Sequence, residues 1–571
     1  MKNNQKIGYL FLLPIFILVC IFLLYPFLKG FSLSFFETKY GFGEMRFAGL
    51  KNYKTIFQDE HFFIALRNSM IWVVGVIVLN TIVPLFIAIL LNREFLGKGI
   101  AMGLLLIPWL TPVVGAAMLS KWLLEPEIGV INGILHSLGM IGSINFLGSP
   151  DTALITTIIV NFWQFCPFGV LLSLAALSTI SEELYEAMRV DGAGRWTILK
   201  MLIMPLTGKI VGFLGFLGFV WTFSNYSLIY MLTKGGPSFS TYTIPLMIYE
   251  KAFSEYNVGQ SVALASVVGF VLIGLGMIFS GLFTNQMRIR EGSMRKKKNT
   301  LQNVIVWLIV ACTVFPFLYV ILGSFQNERT IMVGEVSLLP TNVTLRNYVG
   351  LLTSKSGATA FGMNLKNSFI VSLGVAFLSL VIAIFGAYGL SRYQFKGKEL
   401  IAKGMLFMYV FPTILTIVPI YNVVTQMGLI DTHLGLILVE TTLVAPFCTW
   451  LLRSFIDAIP REIEDAARVD GANRIQIIVK IILPLCAAGL LAAGMYALIY
   501  SWGEYTFSAI LLNSSSKKTI PLALAGYMSH TDQQWGRLLA GCSLNFIPLL
   551  IIFVPFSKIF LKGFMAGAVK S

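Results

Sequence analysis

Long apolar stretches alternate with short polar ones along the whole chain. A helix that crosses a lipid bilayer needs about 20 mainly apolar residues. Six stretches of roughly this kind precede the middle of the chain and six follow it, at 9–27, 71–91, 102–119, 153–174, 210–232, 262–283, 301–322, 369–390, 401–423, 434–452, 487–511 and 538–560. This pattern predicts an all-α polytopic membrane protein with about 12 transmembrane helices.

The basic residues predict the orientation of these helices. Lys and Arg cluster in the segments that follow the second, fourth, sixth, eighth and tenth helices, and at the C-terminal end. Because basic loops are retained in the cytoplasm, these segments and both termini are predicted to be cytoplasmic.

Two polar segments of this apolar chain are copies of each other. Residues 180–206 read ISEELYEAMRVDGAGRWTILKMLIMPL, and residues 459–485 read IPREIEDAARVDGANRIQIIVKIILPL. Aligned without a gap, they share these positions among others: Glu183/Glu462, Ala187/Ala466, Asp191/Asp470, Gly192/Gly471, Ala193/Ala472 and Pro205/Pro484. Each copy is predicted to form a short charged helix, an Asp-Gly turn and an apolar helix. Two such copies indicate an internal duplication.

The duplication extends beyond these segments. Asn68-Ser69 matches Asn367-Ser368, and residues 50–53 match 345–348. The chain is therefore predicted to contain two six-helix repeats, 1–290 and 301–571, which enter the membrane in the same direction because six is even. The basic segment 291–300 is interpreted as a linker, and Met294 within it resembles the start of a separate chain that has been fused here.

Composition narrows the class of protein. Of the 571 residues, 56% are hydrophobic and 12% are charged, with a net charge of +15. So few charges suit a membrane protein, and the basic residues lie in loops beside apolar stretches, which argues against nucleic-acid binding. The sequence has no GxxxxGK[ST] phosphate loop, no catalytic set and no metal-ligand spacing. We expect no enzyme activity, no cofactor and no metal, and energy supplied by another protein.

The two copied segments resemble the EAA loop of the inner-membrane subunits of ABC importers. In that family the loop forms a cytoplasmic coupling helix that docks into a cleft of the ATPase. The family's Glu falls on Glu186, and in the second copy on Asp465, which is one methylene shorter. The resemblance implies a cytoplasmic ABC ATPase dimer as partner and the following coupling residues: Glu183, Glu186, Ala187, Asp191, Gly192, Ala193, Pro205, Glu462, Asp465, Ala466, Asp470, Gly471, Ala472 and Pro484.

Polar residues inside membrane helices are costly, so they tend to face a cavity or a partner helix. Asn161 lies in the middle of the fourth predicted helix, and the repeat places Glu440 at the corresponding position. A substrate contact and a buried polar pair that ties helices together both fit this placement. Glu504, between aromatic residues, is interpreted as a solvated loop residue.

The two halves also resemble the two subunits of maltose-type sugar permeases, for example in IVNFW at 159–163 and LIYMLTKGGP at 228–237. This resemblance implies substrate contacts at Asn161, Gln164, Gly218, Trp221 and Thr222. It further implies a bacterial plasma (inner) membrane, an extracytoplasmic solute-binding protein as a second partner, and a type I importer fold.

The resulting hypothesis is the permease component of an ABC importer for a sugar or oligosaccharide, operating by alternating access. Three alternatives stay open: an importer of the same class for glycerol phosphate or a polyol, a secondary transporter with twelve helices, and a membrane scaffold. A secondary transporter would need several ionisable residues inside its helices to couple ions, and the scaffold would not need two copied loops.

Overall fold

The chain forms a helical bundle. The computed structural model describes residues 2–38, 45–93, 95, 97–140, 142–178, 180–283, 300–332, 343–353, 361–410, 416–527 and 534–570. The predicted linker 291–300 lies outside these ranges except for its last residue, and so does the fusion point predicted at Met294.

The first half holds a small hairpin among its helices. Its strands β1 (Phe36–Thr38) and β2 (Met45–Phe47) pair antiparallel. Its helices are α1 (Lys2–Val19), α2 (Tyr25–Leu33), α3 (Lys51–Gln58), α4 (Glu60–Leu91), α5 (Lys98–Leu105), α6 (Ile107–Leu110), α7 (Val113–Leu123), α8 (Val130–Ser137), α9 (Pro150–Leu177), α10 (Glu182–Val190), α11 (Arg195–Ile198), α12 (Met204–Ser224), α13 (Ser227–Thr233), α14 (Ile244–Phe253) and α15 (Val258–Phe283). The π-helical turns Cys20–Leu24 and Leu199–Ile203 join α1 to α2 and α11 to α12.

The second half repeats this order. Its helices are α16 (Thr300–Ser324), α17 (Glu328–Met332), α18 (Arg346–Thr353), α19 (Phe361–Arg392), α20 (Lys398–Val410), α21 (Ile417–Gln426), α22 (His433–Asp457), α23 (Arg461–Val469), α24 (Arg474–Ile477), α25 (Leu483–Leu485), α26 (Ala487–Gly503), α27 (Thr506–Leu511), α28 (Ile520–Tyr527) and α29 (Trp535–Lys570). A π-helical turn, Ile478–Ile482, joins α24 to α25, and a 3₁₀ turn, Ser515–Lys517, precedes α28.

Eight helical segments of the described residues are long and apolar enough to cross a membrane. They are Gln5–Leu33, Glu60–Leu91, Pro150–Leu177, Val258–Leu275, Thr300–Ser324, Phe361–Arg392, His433–Asp457 and Trp535–Phe556. Two bent pairs bring the number to as many as ten: Lys98–Leu110 with Val113–Leu123, bent by 95°, and Arg474–Leu485 with Ala487–Gly503, bent by 84°. The all-α polytopic class predicted from the apolar stretches is confirmed.

Several predicted spans are interrupted, so the prediction of continuous helices there is wrong. The stretch 210–232 divides into α12 and α13 at Asn225, and 487–511 divides into α26 and α27 at Glu504. Both residues have an extended backbone, with ψ of 97° and 123°. The stretch 401–423 contains α20 and α21, which lie on either side of residues outside the description. Hydropathy does not register such breaks, because the flanking residues stay apolar.

A pair of equivalent asparagines explains the sequence match between residues 50–53 and 345–348. Asn52 Nδ2 in α3 donates hydrogen bonds to the carbonyls of Ser34 and Phe36, at 2.9 and 2.8 Å. Asn347 in α18 does the same with the two corresponding carbonyls, both at 2.8 Å. Each Asn therefore satisfies two backbone acceptors where the first span of its half ends.

The sequence match between Asn68-Ser69 and Asn367-Ser368 is also explained by hydrogen bonds to the backbone. Asn68 donates to two carbonyls of the segment before α14, and the Ser69 hydroxyl accepts from the N–H of Ile244 at 2.9 Å. In the second half Asn367 donates to two carbonyls before α28, and Ser368 accepts from a backbone N–H at 2.8 Å. The repeat is thus a repeat of structure as well as of sequence.

The halves exchange their first helices. The helix α1 packs along α19 of the second half, where Gly8 lies against Phe395 and Phe11 lies against Gly389. The helix α16 packs in turn against α4, α5 and α7 of the first half, and the rings of Trp122 and Tyr319 stack at 4.4 Å. This exchange makes each half part of the other's surface.

These contacts place both copied loops at one end of the bundle, which we call the loop end. The helix α1 runs antiparallel to α19, so it begins where α19 ends. Since α2 ends at the opposite side, where α4 starts, α4 returns to the loop end. The helix α9 runs parallel to α4, because Gly75 lies against Ile158 and Gly169 against Pro84, and α22 runs parallel to α19 in the same way. Therefore α9 and α22, which precede the two copied loops, finish at the same end.

Candidate functional site

Each copied loop has the helix–turn–helix form that its sequence predicts. The helices α10 and α23 end at Asp191 and Asp470, and the next residues are Gly192 and Gly471 with φ of 80° and 85°. This left-handed conformation carries little cost only for glycine. The Asp-Gly turn therefore reverses the chain in both halves and exposes the preceding helix.

The predicted coupling residues lie on accessible surface. Ala193 and Ala472 are half-buried, and all the others are exposed: Glu183, Glu186, Ala187, Asp191, Gly192, Pro205, Glu462, Asp465, Ala466, Asp470, Gly471 and Pro484. This arrangement leaves their side chains available to a partner.

Apolar side chains are exposed at the same places in both copies. Val190 and Val469 are 87% and 88% exposed, and Trp196 and Ile475 are 72% and 63% exposed. Exposed apolar groups among charged ones are typical of protein interaction sites. The copied loops thus form two matched surfaces, each made of a charged helix and two apolar residues.

A π-helical turn precedes Pro205 and Pro484 in both loops. Proline lacks an N–H and its ring collides with the carbonyl four residues earlier. A wider turn moves that carbonyl aside, so in the first loop the helix continues through Pro205 as α12, whereas in the second it ends at Leu485 and bends by 84° into α26. The prolines therefore set where each loop joins its following helix.

The second loop is anchored by an acid that the sequence reading missed. Glu464 is 1% exposed, and its carboxylate pairs with Arg392 Nε at 2.5 Å and accepts from the Tyr388 hydroxyl at 2.8 Å. Arg468 lies beside the same carboxylate at 3.6 Å. Burial alone would lower the pKa of Arg468, but the Tyr388 hydroxyl, Asp465 and Glu464 raise it, so its guanidinium stays charged.

The predicted substrate residues of the first half lie together on α9 and α12. Asn161 and Gln164 are both 2% exposed and one helical turn apart on α9. Gln164 Nε2 donates to the Thr111 carbonyl at 2.9 Å, where α6 gives way to α7. The ring of Trp221 lies 5.8 Å from that of Phe168, which ties α12 to α9. 

The remaining two predicted residues of this group lie on α12. Gly218 faces open space, since a Cβ there would meet nothing within 4 Å. Thr222 is buried, and its carbonyl accepts from Trp72 Nε1 at 2.9 Å. The sequence-predicted residues of the first half thus form one group, with Thr222 partly engaged in packing.

Glu440 lies apart from this group, within the second half. It is 0% exposed on α22 and lies beside the Ser501 hydroxyl, and neither carboxylate oxygen forms a hydrogen bond of regular geometry with the described residues. Glu504 lies near it at the break between α26 and α27. The interpretation of Glu504 as a solvated loop residue is wrong: it is 8% exposed and accepts from the N–H groups of Phe507 and Ser508 at 2.8 and 3.0 Å. These bonds cap the start of α27.

The two broken helices meet where the halves face each other. The hydroxyls of Ser227 at the start of α13 and Thr506 at the start of α27 lie 3.0 Å apart. These are corresponding positions of the repeat, so this contact lies close to the axis that relates the halves. A Cβ at Gly503 would also contact Pro112, at 3.5 Å, in the break between α6 and α7.

Unpaired polar atoms occur on α9 of the first half and on α22 and α29 of the second. Within the described residues, the following side-chain atoms are buried and have no hydrogen-bond partner: Asn161 Oδ1, Gln164 Oε1, Glu440 Oε1 and Oε2, Thr441 Oγ1, Ser543 Oγ, and Asn545 Oδ1 and Nδ2. Asn545 and Ser543 were not predicted, although an Asn inside an apolar span is a signal that could have indicated them. The interior of the bundle therefore holds polar groups that the packing of the described residues does not satisfy.

A membrane bundle of two repeats with paired exposed loops at one end and a polar interior is the arrangement of a transport permease. A family profile described as the binding-protein-dependent transport system inner membrane component matches residues 80–289 and 379–563. These two matches cover more than half of the chain, and the chain belongs to this family.

Individual relatives correspond to half of the chain each. The inner membrane ABC transporter permease protein YcjP of Escherichia coli is 34% identical over 281 residues, 48% of this chain and 100% of that protein. The diacetylchitobiose uptake system permease protein DasC of Streptomyces coelicolor is 30% identical over 47% of this chain and 96% of its own length. The trehalose/maltose transport system permease protein MalG of Thermococcus litoralis is 30% identical over 46% and 94%. Because the family also matches twice, the chain contains two permease units.

Proposed function

We propose that the chain is the complete membrane pathway of an ABC importer that brings a sugar or oligosaccharide into a bacterial cell. The observation that carries this proposal is the pair of matched, exposed loops at one end of the bundle. Two matched surfaces at the same end of the bundle suit a partner that is itself a dimer. Since the chain has no phosphate-binding loop of its own, the partner we propose is a cytoplasmic ABC ATPase dimer.

The movement we propose is alternating access. When the ATPase dimer binds ATP and closes, it draws α10 and α23 together. Each helix is joined through its Asp-Gly turn and its proline to a long membrane helix, so the halves rock against each other. The contact between Ser227 and Thr506 then opens or closes the polar interior on the outer side. ATP bound to the ATPase dimer would thereby shift this chain from one of its two conformations to the other.

A sugar is the substrate class that the interior favours. Sugars offer many hydroxyls, which pair with amides, carboxylates and hydroxyls such as those of Asn161, Gln164, Glu440 and Asn545. Burial of these groups without partners is costly, and a passing sugar or water would supply the missing bonds. Relatives named for trehalose/maltose and diacetylchitobiose transport support this class.

The second partner we propose is an extracytoplasmic solute-binding protein that delivers the sugar to the side opposite the loop end. The family description, a binding-protein-dependent transport component, supports this. The chain would be a multi-pass protein of the plasma (inner) membrane with both termini on the cytoplasmic side. Basic residues in the segments at the loop end support that orientation.

An importer of the same class for a polyol or glycerol phosphate is the second candidate. A polyol has the same hydroxyl chemistry as a sugar, and only uptake measurements distinguish the two. Glycerol phosphate is an anion, and a buried anion needs a cationic partner, which none of Asn161, Gln164, Glu440 and Asn545 provides. The interior therefore favours a neutral solute.

The test replaces the exposed acids of both docks, Glu186→Gln together with Asp465→Asn. The charge-assisted contacts with the ATPase are lost while the chain's own buried bonds remain. We expect sugar uptake in membrane vesicles to fall by about tenfold or more, with the amount of folded chain unchanged. The matched control is Asp151→Asn, an exposed acid in the first turn of α9 at the opposite end, which should keep full uptake. Undiminished uptake in the double variant would remove the basis of the coupling role.

A further inference from the structure

The two copied loops differ in how they are held to the membrane helices. In the second loop the side chain of Glu464 is 2% exposed and pairs with the 7% exposed guanidinium of Arg392. Arg392 is the last residue of α19, and its Nη2 also donates to the Ile459 carbonyl, just before α23, at 2.8 Å. One guanidinium thus joins the end of a long helix to the start and the middle of the loop.

Further bonds close this junction. The Tyr388 hydroxyl, one turn earlier on α19, donates to the other oxygen of Glu464 at 2.8 Å. The Ser391 hydroxyl donates to Asp457, the last residue of α22. The ends of α19 and α22 and the helix α23 are therefore bonded to one another through buried or half-buried groups.

The first loop has a different residue at this place. The aligned position of Glu464 is Tyr185 on α10, which is buried. The position aligned with Arg392 is Arg93, which is also buried. A phenol carries no charge at neutral pH and forms no ion pair with a guanidinium, whereas a carboxylate does, with two directed hydrogen bonds.

We infer that the Glu464–Arg392 pair is a rigid link that positions the second coupling helix on α19 and transmits its movement into the second half. A buried ion pair contributes little to stability compared with an apolar pair, but its bonds fix direction and distance. Exposed carboxylates such as Asp465 meet the partner, and Glu464 passes the displacement on. Glu464 and Arg392 are accordingly positioning residues, and the inference rests on the proposed docking of an ATPase.

The first measurement needs no ATPase. Spin labels are placed at Val469 and Leu400 to report on the second loop, and at Val190 and Ile100 to report on the first. All four side chains are exposed, at 88%, 76%, 87% and 64%. The accessible cysteines, Cys20 and Cys312, are first replaced by serine. Pulsed electron paramagnetic resonance then gives the distance distribution of each pair in lipid nanodiscs.

Two variants break the link in different ways. Glu464→Gln leaves Arg392 without its counter-charge and is the simpler change. Glu464→Met combined with Arg392→Met replaces the ion pair by apolar groups, which such sites commonly tolerate without loss of folding. The control is Glu462→Gln, which neutralises an exposed acid in the first turn of the same helix, α23, outside this junction.

We expect both link variants to broaden the Val469–Leu400 distribution at least about twofold, with the Val190–Ile100 distribution unchanged and the Glu462→Gln control equal to wild type. An unchanged Val469–Leu400 distribution in both variants would overturn the inference. Equal broadening in both halves would also overturn it, because it would indicate general loosening.

The second measurement tests transmission. The complex is purified from the organism's own cells through a tag on this chain, and uptake of the transported sugar per ATP hydrolysed is measured in proteoliposomes. The double Met variant should lower this ratio by about fivefold or more. Broadening with an unchanged ratio would show that the link holds the helix without carrying coupling, which contradicts the inference. A wild-type complex that contains no ATPase would instead contradict the proposed function.

Discussion

Glu464 and Asp465 are neighbours on α23, yet their side chains lie on different faces of the helix, one buried and one exposed. The side chain of Glu464 is 2% exposed and that of Asp465 is 64% exposed, where it pairs with Arg468 at 2.6 Å. A helix turns by 100° per residue, so consecutive acids can serve the interior and the surface. One acid is thereby available to a partner while its neighbour holds the helix in place.

At this scale the sequence predicted which acids are exposed but not which acid is buried. The alignment of the copied loops identified Asp465 as the counterpart of Glu186 from local sequence alone, and its coupling role stays a prediction. The partner of Glu464 lies 72 residues away along the chain, so no local pattern indicates it. Glu504 was missed for a related reason: an acid between aromatic residues reads as a loop residue unless the break in α26 and α27 is known.

The polar groups of the interior give the prediction at the residue scale. Asn161→Ala and Glu440→Ala each remove a buried group that we expect to contact the sugar. Uptake should fall by about tenfold in each, since a lost bond of about 1.4 kcal/mol in the transport step has this effect. Initial uptake rates, divided by the amount of folded chain in the membrane, provide the measurement.

The control for these variants is Ser266→Ala. Its hydroxyl is buried but donates to the Val262 carbonyl within its own helix, so uptake should stay within about twofold of wild type. If Asn161→Ala and Glu440→Ala lower the folded amount as much as they lower uptake, these residues tie helices together instead.

At the scale of elements, equivalent asparagines hold equivalent backbone segments in place in the two halves. Asn52 and Asn347 each hold two carbonyls, and Asn68 and Asn367 each hold two more. Sequence comparison within the chain identified both pairs as matches, but only the structure shows the hydrogen bonds that they form. The long apolar helices were predicted well, because length and hydropathy decide them. The breaks at Thr111, Asn225 and Glu504 were not, because hydropathy does not register a local change of backbone conformation.

These asparagines give the prediction at this scale, which concerns stability. Asn347→Ala removes both hydrogen bonds of α18 and leaves two buried carbonyls unpaired. We expect the free energy of unfolding to fall by about 2 kcal/mol and the midpoint of thermal unfolding in detergent to fall with it. Asn52→Ala should produce a similar decrease, because its bonds have the same geometry.

Asn422→Ala is the control for the asparagine variants. Its amide is accessible and accepts only from Gln426 on the same helix, so its loss should change the unfolding midpoint little. An Asn347→Ala protein that unfolds at the wild-type temperature would show that the two hydrogen bonds of Asn347 do not stabilise the second half.

At the scale of the whole molecule, the two permease units are interlocked. Each first helix packs on the other unit, and the family matches both units separately. The relatives named above each correspond to one unit. The linker here adds a covalent connection to contacts that the helices already make.

This suggests that the connection is dispensable. When residues 1–291 and 294–571 are produced as two chains in one cell, we expect them to assemble and to restore at least about half of wild-type uptake. Co-purification through a tag on one chain, with uptake measured in parallel, provides the check. Failure to assemble would mean that the segment between them has a structural role.

The central claim is that two matched loops on one face are moved together by a dimeric ATPase. The most direct measurement is the distance between spin labels at Met201 and Val479, exposed residues in the π-helical turns outside the docking surfaces, in the complete complex. It is made before and after nucleotide is trapped by adding ATP, Mg²⁺ and vanadate. The account predicts one distance without nucleotide and a distance shorter by about 5 Å, one helical turn, with trapped nucleotide. A distance that ATP leaves unchanged would contradict it, as would labels that a membrane-impermeant reagent reaches from opposite sides of the membrane.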